Sequence, residues 1–211
     1  MTTDLLPDFI REHYVYREWR HACTILKYEF PSEWDDIMNV LTNFRMLRSS
    51  VFEGGGNKSV MATAIDSTLY KLNWSEKKFD TEVVVDNNKM TSPTHKVDCY
   101  KNHIALEVEW NNKDPFFDRD LNNFRLLFDL RTVSVGVIIT RSDEFQGLKK
   151  AFSANTTHWG QLVPRIEGGG GGGCPILAFG IRLNLLTNDT TGEPKSLVSA
   201  DVLEDVAQEN E

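Results

Sequence analysis

The stretch KVDCYKNHIALEVEW, residues 96–110, decides the fold. It contains two runs rich in strand-forming residues, 96–101 and 103–110, with a single residue between them, and this spacing predicts two strands joined by a tight turn. Side chains on a strand alternate between the two faces of a sheet. In the second run, one face therefore carries four apolar side chains and the other carries Glu107 and Glu109. We predict a hairpin with one core face and one carboxylate face.

Three carboxylates are expected to converge on this hairpin. Glu107 and Glu109 lie about 7 Å apart at the backbone, given the rise per residue of a strand. If the first strand pairs with the second, Asp98 lies across from Glu107. Clustered carboxylates repel one another, and a divalent cation removes that cost. Oxygen ligands alone select a hard cation such as Mg²⁺ or Mn²⁺. The alternative interpretation is a solvated polar face of an antiparallel sheet.

The rest of the chain alternates between helical and strand patterns. The other predicted strands are 21–27, 79–86, 133–140 and 175–183; the predicted helices are 32–46, 59–72 and 118–130; residues 160–166 form a short helix or a loop. Residues 86–94 are predicted to be a polar connection. This order indicates an α/β fold of the mixed α+β kind, with a central mixed β-sheet flanked by helices.

Length and charge indicate one domain followed by an acidic tail. The chain has 211 residues and a net charge of −8. We expect a single domain over residues 1–186 and a partly disordered tail over 187–211. The tail carries seven acidic residues and one basic residue, so the domain itself is nearly neutral, at −2. Net charge therefore neither supports nor excludes a nucleic-acid partner.

Targeting signals are absent from the sequence pattern. No apolar run approaches the ~20 residues that cross a bilayer, and the N-terminal stretch does not have the pattern of a secretory signal. Three cysteines, at positions 23, 99 and 174, are too few and too scattered for a disulfide framework or a CxxC metal spacing. We expect a cytoplasmic protein with reduced thiols and no membrane association.

The carboxylate pattern resembles that of a known nuclease core. Asp98, then Glu107-Val108-Glu109, has the arrangement D-x8-E-x-E and resembles the PD-(D/E)XK nucleases. Glu109 stands where those enzymes usually carry lysine, and Val97 stands in place of the usual proline. Restriction endonucleases of the BglII type resemble this chain in lacking that lysine and in carrying E-x-E or E-x-Q. The resemblance spans about residues 57 to 183, and its most specific pieces are 103–130 and VSVGVIITR, 133–141.

This resemblance implies a restriction-endonuclease-like core and a Mg²⁺-dependent type II restriction endonuclease that hydrolyses both strands of a short palindromic duplex site. Asp98, Glu107 and Glu109 would be catalytic, and Asp98, Glu107 and the carbonyl of Val108 would bind Mg²⁺, for which Mn²⁺ can substitute. Glu109 could orient the attacking water, act as general base or bind a second metal. A catalytic lysine displaced to Lys101 or Lys113 is a further alternative. One active site per chain and two strands to cut imply a homodimer.

Polar loops on either side of the carboxylate strand are candidates for contact with double-stranded DNA. Asn and Lys are favoured partners of adenine, guanine and phosphate, and a Gly-rich loop before a helix can bind phosphate through its N–H groups. The expected contacts are Lys58, Ser59, Asn111, Asn112, Lys113, Asn155, Thr156, Thr157, His158 and Arg165. The stretch 52–59 lacks the P-loop spacing, so no nucleotide cofactor is expected. The glycine run 168–173 either folds onto DNA or is a flexible linker.

Two other functions fit the same residues. A DNA repair nuclease on this core would recognise DNA structure and would cut without regard to sequence. A non-catalytic DNA- or protein-binding module would carry the carboxylates only as a polar sheet face.

Overall fold

A computed structural model describes residues 3–47, 60–113, 115–147 and 155–187. Its central feature is a six-stranded sheet with the order β1-β9-β8-β7-β6-β3. The strands are β1 (Tyr14–Trp19), β3 (Ser75–Lys77), β6 (Val97–Lys101), β7 (Ile104–Val108), β8 (Val135–Arg141) and β9 (Ile176–Ile181). Strands β7, β8 and β9 run parallel to one another. Strand β1 is antiparallel to β9, β6 is antiparallel to β7, and β3 is antiparallel to β6.

Helices cover both faces of this sheet. One face packs against α1 (Asp8–His13), α2 (Ala22–Glu29), α3 (Pro31–Asn43) and α4 (Val60–Lys71); the other packs against α5 (Pro115–Asp129) and α6 (Trp159–Glu167). Helix α5 packs on the sheet through an apolar stripe, because Phe117, Leu121 and Phe124 recur at helical spacing and are fully or almost fully buried. The mixed α/β architecture with a flanked central sheet is therefore confirmed.

Two small strand pairs lie outside the main sheet. Strands β4 (Asp80–Val85) and β5 (Asn88–Pro93) form an antiparallel hairpin, and β2 (Met46–Leu47) pairs in parallel with β10 (Leu186–Thr187). Asp86 and Asn87 both have positive φ, 48° and 66°, as a two-residue turn between strands requires. Single-turn 3-10 helices occur at Thr3–Leu5, Asp143–Gly147 and Leu183–Leu185.

Most predicted elements are present, and three predictions are wrong. Residues 21–27 were expected to be a strand, but α2 begins at Ala22 because Ala22, Cys23 and Leu26 form a buried helical stripe. Residues 86–94 were expected to be a connection, but most of them form the turn and β5. The glycine run is not a linker: it forms a compact turn in which a Cβ on Gly172 would meet the side chain of Arg125.

Two further expectations can be compared with the described residues. All three cysteines are buried and free. Across the described ranges, no helix is long and apolar enough to cross a membrane. Residues 188–211 lie outside the described part of the chain, so the boundary between domain and tail stays a prediction.

Candidate active site

The β6–β7 hairpin brings Asp98 and Glu107 together. Cys99 pairs with Leu106, and the same register continues to Asp98 opposite Glu107. The N–H of Asp98 donates to Oε2 of Glu107 at 3.3 Å, and the N–H of Val108 donates to Oδ2 of Asp98 at 3.3 Å. The expected juxtaposition of these two carboxylates is therefore found in the structure.

Glu107 and Glu109 are both buried under α5. Each is only 1% exposed, so a solvated polar sheet face does not describe them. Within the described residues, Oε1 of Glu107 has no hydrogen-bond partner. A buried carboxylate oxygen without a partner costs free energy, because it has lost its hydration and gained nothing in return. Such an atom is available to bind a cation.

A fourth carboxylate, Asp120, joins this group from α5. It is 1% exposed and shares the buried face of the helix with Phe117, Leu121 and Phe124. Its Oδ2, like Oε1 of Glu107, has no hydrogen-bond partner in the described part of the chain. Asp120 was not among the residues predicted from the sequence. An aspartate at an inward position of an amphipathic helix was the signal that could have found it.

Arg119, the neighbour of Asp120, was missed too, and it provides positive charge to the cluster. Its Nη2 lies 3.1 Å from Oε1 of Glu109 and 2.7 Å from Oδ1 of Asp120. Its Nε donates to the same Asp120 oxygen at 2.8 Å. The guanidinium also lies over the ring of Phe116, 4.2 Å from the ring centre. Arg119 is thus held by two carboxylates and one aromatic ring.

The burial of these carboxylates raises their pKa values. Loss of hydration, followed by the negative charges of Asp120 and Asp98, raises the pKa of Glu107 well above its usual range. Burial, and then the charge of Asp120, raises the pKa of Glu109 to about 9. Burial also raises the pKa of Asp120, against the opposing effect of Arg119. Without a cation, Glu109 therefore retains its proton at neutral pH.

The residues present fit a divalent cation in their chemistry. All donors are carboxylate oxygens, which suit a hard cation such as Mg²⁺, and two buried oxygens have no hydrogen-bond partner within the described ranges. No group of three Asp, Glu, His or Cys side chains in the described residues is arranged as a ready-made metal centre. Instead, the carboxylate of Glu107 accepts from the N–H of Asp98, and that of Asp98 accepts from the N–H of Val108. The carboxylate of Glu109 accepts from the side chains of Asn112 and Arg119.

The two loops expected to contact DNA are joined to each other beside Glu109. Lys113 forms an antiparallel bridge with Thr156, and the N–H of Thr157 donates to the carbonyl of Asn112 at 2.8 Å. The side-chain amide of Asn112 donates to Oε2 of Glu109 at 2.5 Å. Asn111, Asn112 and Lys113 are exposed. One polar surface therefore reaches from the loops to the carboxylates.

The other predicted DNA-contacting residues have different surroundings. Asn155 is exposed, whereas Thr157 is fully buried and its hydroxyl accepts a hydrogen bond from the N–H of Asn112. The Nδ1 of His158 lies 2.7 Å from Oδ1 of Asp143. Arg165, on α6, donates to Oδ1 of Asp118 at 3.0 Å. Lys58 and Ser59 lie outside the described residues.

The lysines considered as replacements for the usual one differ in position. Nζ of Lys101 donates to Oδ2 of Asp36 at 2.7 Å and to the carbonyl of Leu72 at 3.1 Å. Asp36 belongs to α3, on the opposite face of the sheet, so Lys101 points away from the carboxylates. Lys113 is exposed on the loop that follows β7.

A mixed sheet with buried carboxylates on a central strand is the architecture expected of a restriction-endonuclease-like nuclease. The family model described as "Restriction endonuclease BglII/BglIII" matches residues 14–181. The match begins at the first residue of β1 and ends at the last residue of β9, so it covers the whole central sheet. This chain belongs to the BglII/BglIII restriction endonuclease family. No curated protein matches it.

The family defines the class of activity. The chain is a type II restriction endonuclease, a hydrolase that binds double-stranded DNA and cuts it at a specific site. Restriction endonucleases in general use divalent metal ions. The repair nuclease and the non-catalytic binding module are therefore set aside.

Proposed function

We propose that this restriction endonuclease hydrolyses one phosphodiester bond in each strand of a short palindromic duplex site, in a reaction that depends on Mg²⁺. The observation that carries the proposal is the buried carboxylate cluster: Asp98 bonded across the hairpin to Glu107, with Glu109 and Asp120 beside them. Buried like charges are costly unless a cation is bound, so this cluster is suited to a metal and a phosphate.

Asp98, Glu107 and the carbonyl of Val108 are the proposed Mg²⁺ ligands, and Mn²⁺ would substitute for it. Support comes from the position of Asp98 at the edge of the cluster and from the partnerless Oε1 of Glu107. When bound, the ion stabilises negative charge on the phosphoryl oxygens and lowers the pKa of a water molecule. Oxygen ligands favour these hard ions over softer ones.

We assign Glu109 to orienting the attacking water. Both of its carboxylate oxygens already accept hydrogen bonds, from Asn112 and from Arg119, so the carboxylate is fixed in direction. Glu107, in contrast, has an oxygen with no hydrogen-bond partner among the described residues, which suits a metal ligand. A fixed carboxylate provides the pre-organised acceptor that a water nucleophile needs.

The loops after β7 and before α6 are the proposed DNA-reading surface. Asn111, Asn112, Lys113 and Asn155 are exposed there, and the Lys113–Thr156 bridge unites the two loops. Thr156, Thr157, His158 and Arg165 would support or extend this surface. We propose that Lys58 and Ser59 also contact the DNA.

We further propose a homodimer acting in the cytoplasm. The family cuts duplex DNA, and one carboxylate cluster per chain provides one active site, so two chains related by a two-fold axis match a palindromic site. Three buried, free cysteines are consistent with a reducing compartment. Residues 1–186 would form the folded domain.

Cleavage of phage DNA tests the metal and the carboxylates together. Wild-type protein and a Glu107→Gln variant would be incubated with DNA in Mg²⁺, in Mn²⁺ and in EDTA. A Glu82→Gln variant is the matched control, because Glu82 is an exposed glutamate on the β4–β5 hairpin, paired with Lys89. We expect discrete fragments with either metal, none in EDTA, and none with Glu107→Gln. Activity of Glu107→Gln equal to that of Glu82→Gln would refute the assignment.

The sequences at the ends of the fragments test whether the site is palindromic and the enzyme a homodimer. Sequencing them should give one palindromic sequence cut at equivalent positions in both strands. Sedimentation of the protein with a duplex that contains this sequence should give two chains per duplex. An asymmetric site, or one chain per duplex, would contradict the homodimer.

A further inference from the structure

We propose that Arg119 is a further catalytic residue, which binds the phosphate being cleaved and neutralises the charge that develops on it. The inference rests on the proposed function, because it takes the carboxylate cluster as the place where the phosphate is bound. The observation that supports it is that the guanidinium of a partly exposed Arg119 contacts the buried carboxylates of Glu109 and Asp120.

The negative charge of the carboxylate cluster calls for a cationic side chain beside it. Asp98, Glu107, Glu109 and Asp120 would carry four negative charges when ionised, and a DNA phosphate adds another. A single Mg²⁺ at Asp98 and Glu107 does not balance them. Arg119 adds a positive charge where two of these carboxylates meet, with contacts to Glu109 and Asp120 of 3.1 and 2.7 Å. An anion can approach such a cluster only if positive charge is present beside it.

Arg119 is also more accessible than the carboxylates that it contacts. The side chains of Glu109 and Asp120 are 2% and 1% exposed, whereas that of Arg119 is 28% exposed. The Arg119 side chain is therefore more exposed than the two carboxylates that it contacts, and we place the phosphate of bound DNA on this exposed side. A guanidinium has five N–H donors in a planar fork, so it can hold its carboxylate partners and still donate to a phosphate oxygen.

The guanidinium of Arg119 is held in place by its neighbours. Nε and Nη2 of Arg119 both bond to Oδ1 of Asp120, and the ring of Phe116 lies 4.2 Å from the guanidinium carbon. Asp120 is thus a positioning residue for Arg119. A donor that is already fixed needs little reorganisation when charge develops on the substrate, and this makes it effective in catalysis.

The lysines near the site have no corresponding contacts with the carboxylate cluster among the described residues. Lys101 is bound to Asp36 on the other face of the sheet, and Lys113 is exposed on the loop after β7. Burial lowers the pKa of Arg119, but the charges of Asp120, Glu109 and Glu107 raise it by more, so the pKa of the guanidinium lies above its usual value.

The chemical role follows from hydrolysis. A water oxygen bonds to phosphorus, the bond from phosphorus to the leaving sugar oxygen breaks, and that oxygen takes up a proton while water loses one. Arg119 neither gives nor takes a proton in this balance. It donates hydrogen bonds to a non-bridging phosphate oxygen, whose negative charge grows as water attacks.

Single-turnover cleavage at saturating DNA and Mg²⁺ is the first test. We expect Arg119→Gln to slow cleavage by roughly 100-fold or more, since losing one such donor typically costs 100- to 1,000-fold, and Arg119→Lys to recover part of the rate. Arg125→Gln is the matched control, because Arg125 is exposed on the same helix and donates a hydrogen bond to the nearby side chain of Asn122. Equal rates for Arg119→Gln and Arg125→Gln would overturn the proposal.

A binding cycle separates contact with phosphate from a structural role. Affinity in Ca²⁺ would be measured for wild type and Arg119→Gln, each with a normal duplex and with one carrying a neutral methylphosphonate at the cleaved position. If Arg119 contacts that phosphate, the substitution and the methylphosphonate should each weaken binding on their own. The two together should then weaken binding little more than either one alone. Fully additive losses would overturn the proposal. Arg119→Lys, which keeps a cation beside the carboxylates, gives the same cycle if Arg119→Gln fails to fold.

These outcomes distinguish this inference from the proposed function. Wild-type protein that does not cut in Mg²⁺, or Glu107→Gln that does, refutes the proposed function. Wild-type cleavage that needs Mg²⁺ and Glu107 but not Arg119 refutes only the role of Arg119.

Discussion

Replacing Glu109 by glutamine should make the metal-free protein less sensitive to pH. Burial and the nearby Asp120 raise the pKa of Glu109 from 4.5 to about 9, so the folded chain keeps a proton there that the unfolded chain loses. For an acid with a raised pKa, the contribution to stability is complete below pH 4.5 and is lost as the pH rises towards 9. Stability in EDTA should therefore fall with increasing pH, and glutamine, which resembles the protonated acid, should remove this loss.

The magnitude follows from proton linkage. One proton bound by the folded state and not by the unfolded state changes the free energy of unfolding by about 1.4 kcal/mol per pH unit. From pH 6 to pH 8, Glu109 alone should cost about 2.7 kcal/mol, which corresponds to a fall in Tm of roughly 5 to 10 °C for a chain of this size. Glu107, whose pKa is also raised, acts in the same direction and remains in the Glu109→Gln variant.

Calorimetry or circular dichroism in EDTA at pH 6, 7 and 8 would measure Tm for wild type, Glu109→Gln and the exposed control Glu82→Gln. We expect a smaller fall for Glu109→Gln and a wild-type fall for Glu82→Gln. The same fall in all three proteins would refute the reasoning that a buried, protonated Glu109 lies in the cluster. Adding Mg²⁺ should stabilise the wild type more at pH 8 than at pH 6, because metal ligands must lose their protons to bind.

Three further outcomes are expected. Lys101→Met should leave the cleavage rate unchanged while lowering stability by about 1 kcal/mol, because Lys101 bonds to Asp36 on the far face; a hundredfold loss of rate with a normal melt would contradict this. Gly136→Ala should destabilise by about 1–3 kcal/mol in urea unfolding, since its Cβ would enter the ring of Phe124; an unchanged midpoint would show that the ring moves freely. Tyr14→Phe should cost about 1–2 kcal/mol in the same assay, because its buried hydroxyl donates to a backbone carbonyl at 2.7 Å, and a neutral effect would mean that water replaces it.

The hairpin could be predicted from the sequence because strand alternation is a local signal. Asp98, Glu107 and Glu109 are placed by a two-residue period and one tight turn, and neither depends on distant parts of the chain. Asp120 and Arg119 reach the same site from a helix that follows β7. Only the packing of α5 on the sheet brings them there, and the sequence pattern around them specifies a helix but not its neighbours.

The wrong predictions have the same physical origin. The segment 21–27 is short and largely apolar, and such a segment is compatible with a buried strand as well as with a helix. Packing determines that this segment is a helix. Strand β1 ends at Trp19, the next two residues, Arg20 and His21, have positive φ, and the chain then enters α2 directly. The polar segment that contains β5 has no strand pattern of its own, but a two-residue turn at Asp86 and Asn87 folds it back onto β4.

The bridge between Lys113 and Thr156 has a consequence for attempts to redesign this enzyme. The loop that we propose reads the DNA bases also holds Glu109, through the side chain of Asn112. A library that varies residues 111–113 therefore changes the active site together with the recognition surface. Variants chosen for tight binding to a new site should include many that cut slowly, and keeping Asn112 and Thr157 fixed is the way to vary one property without the other.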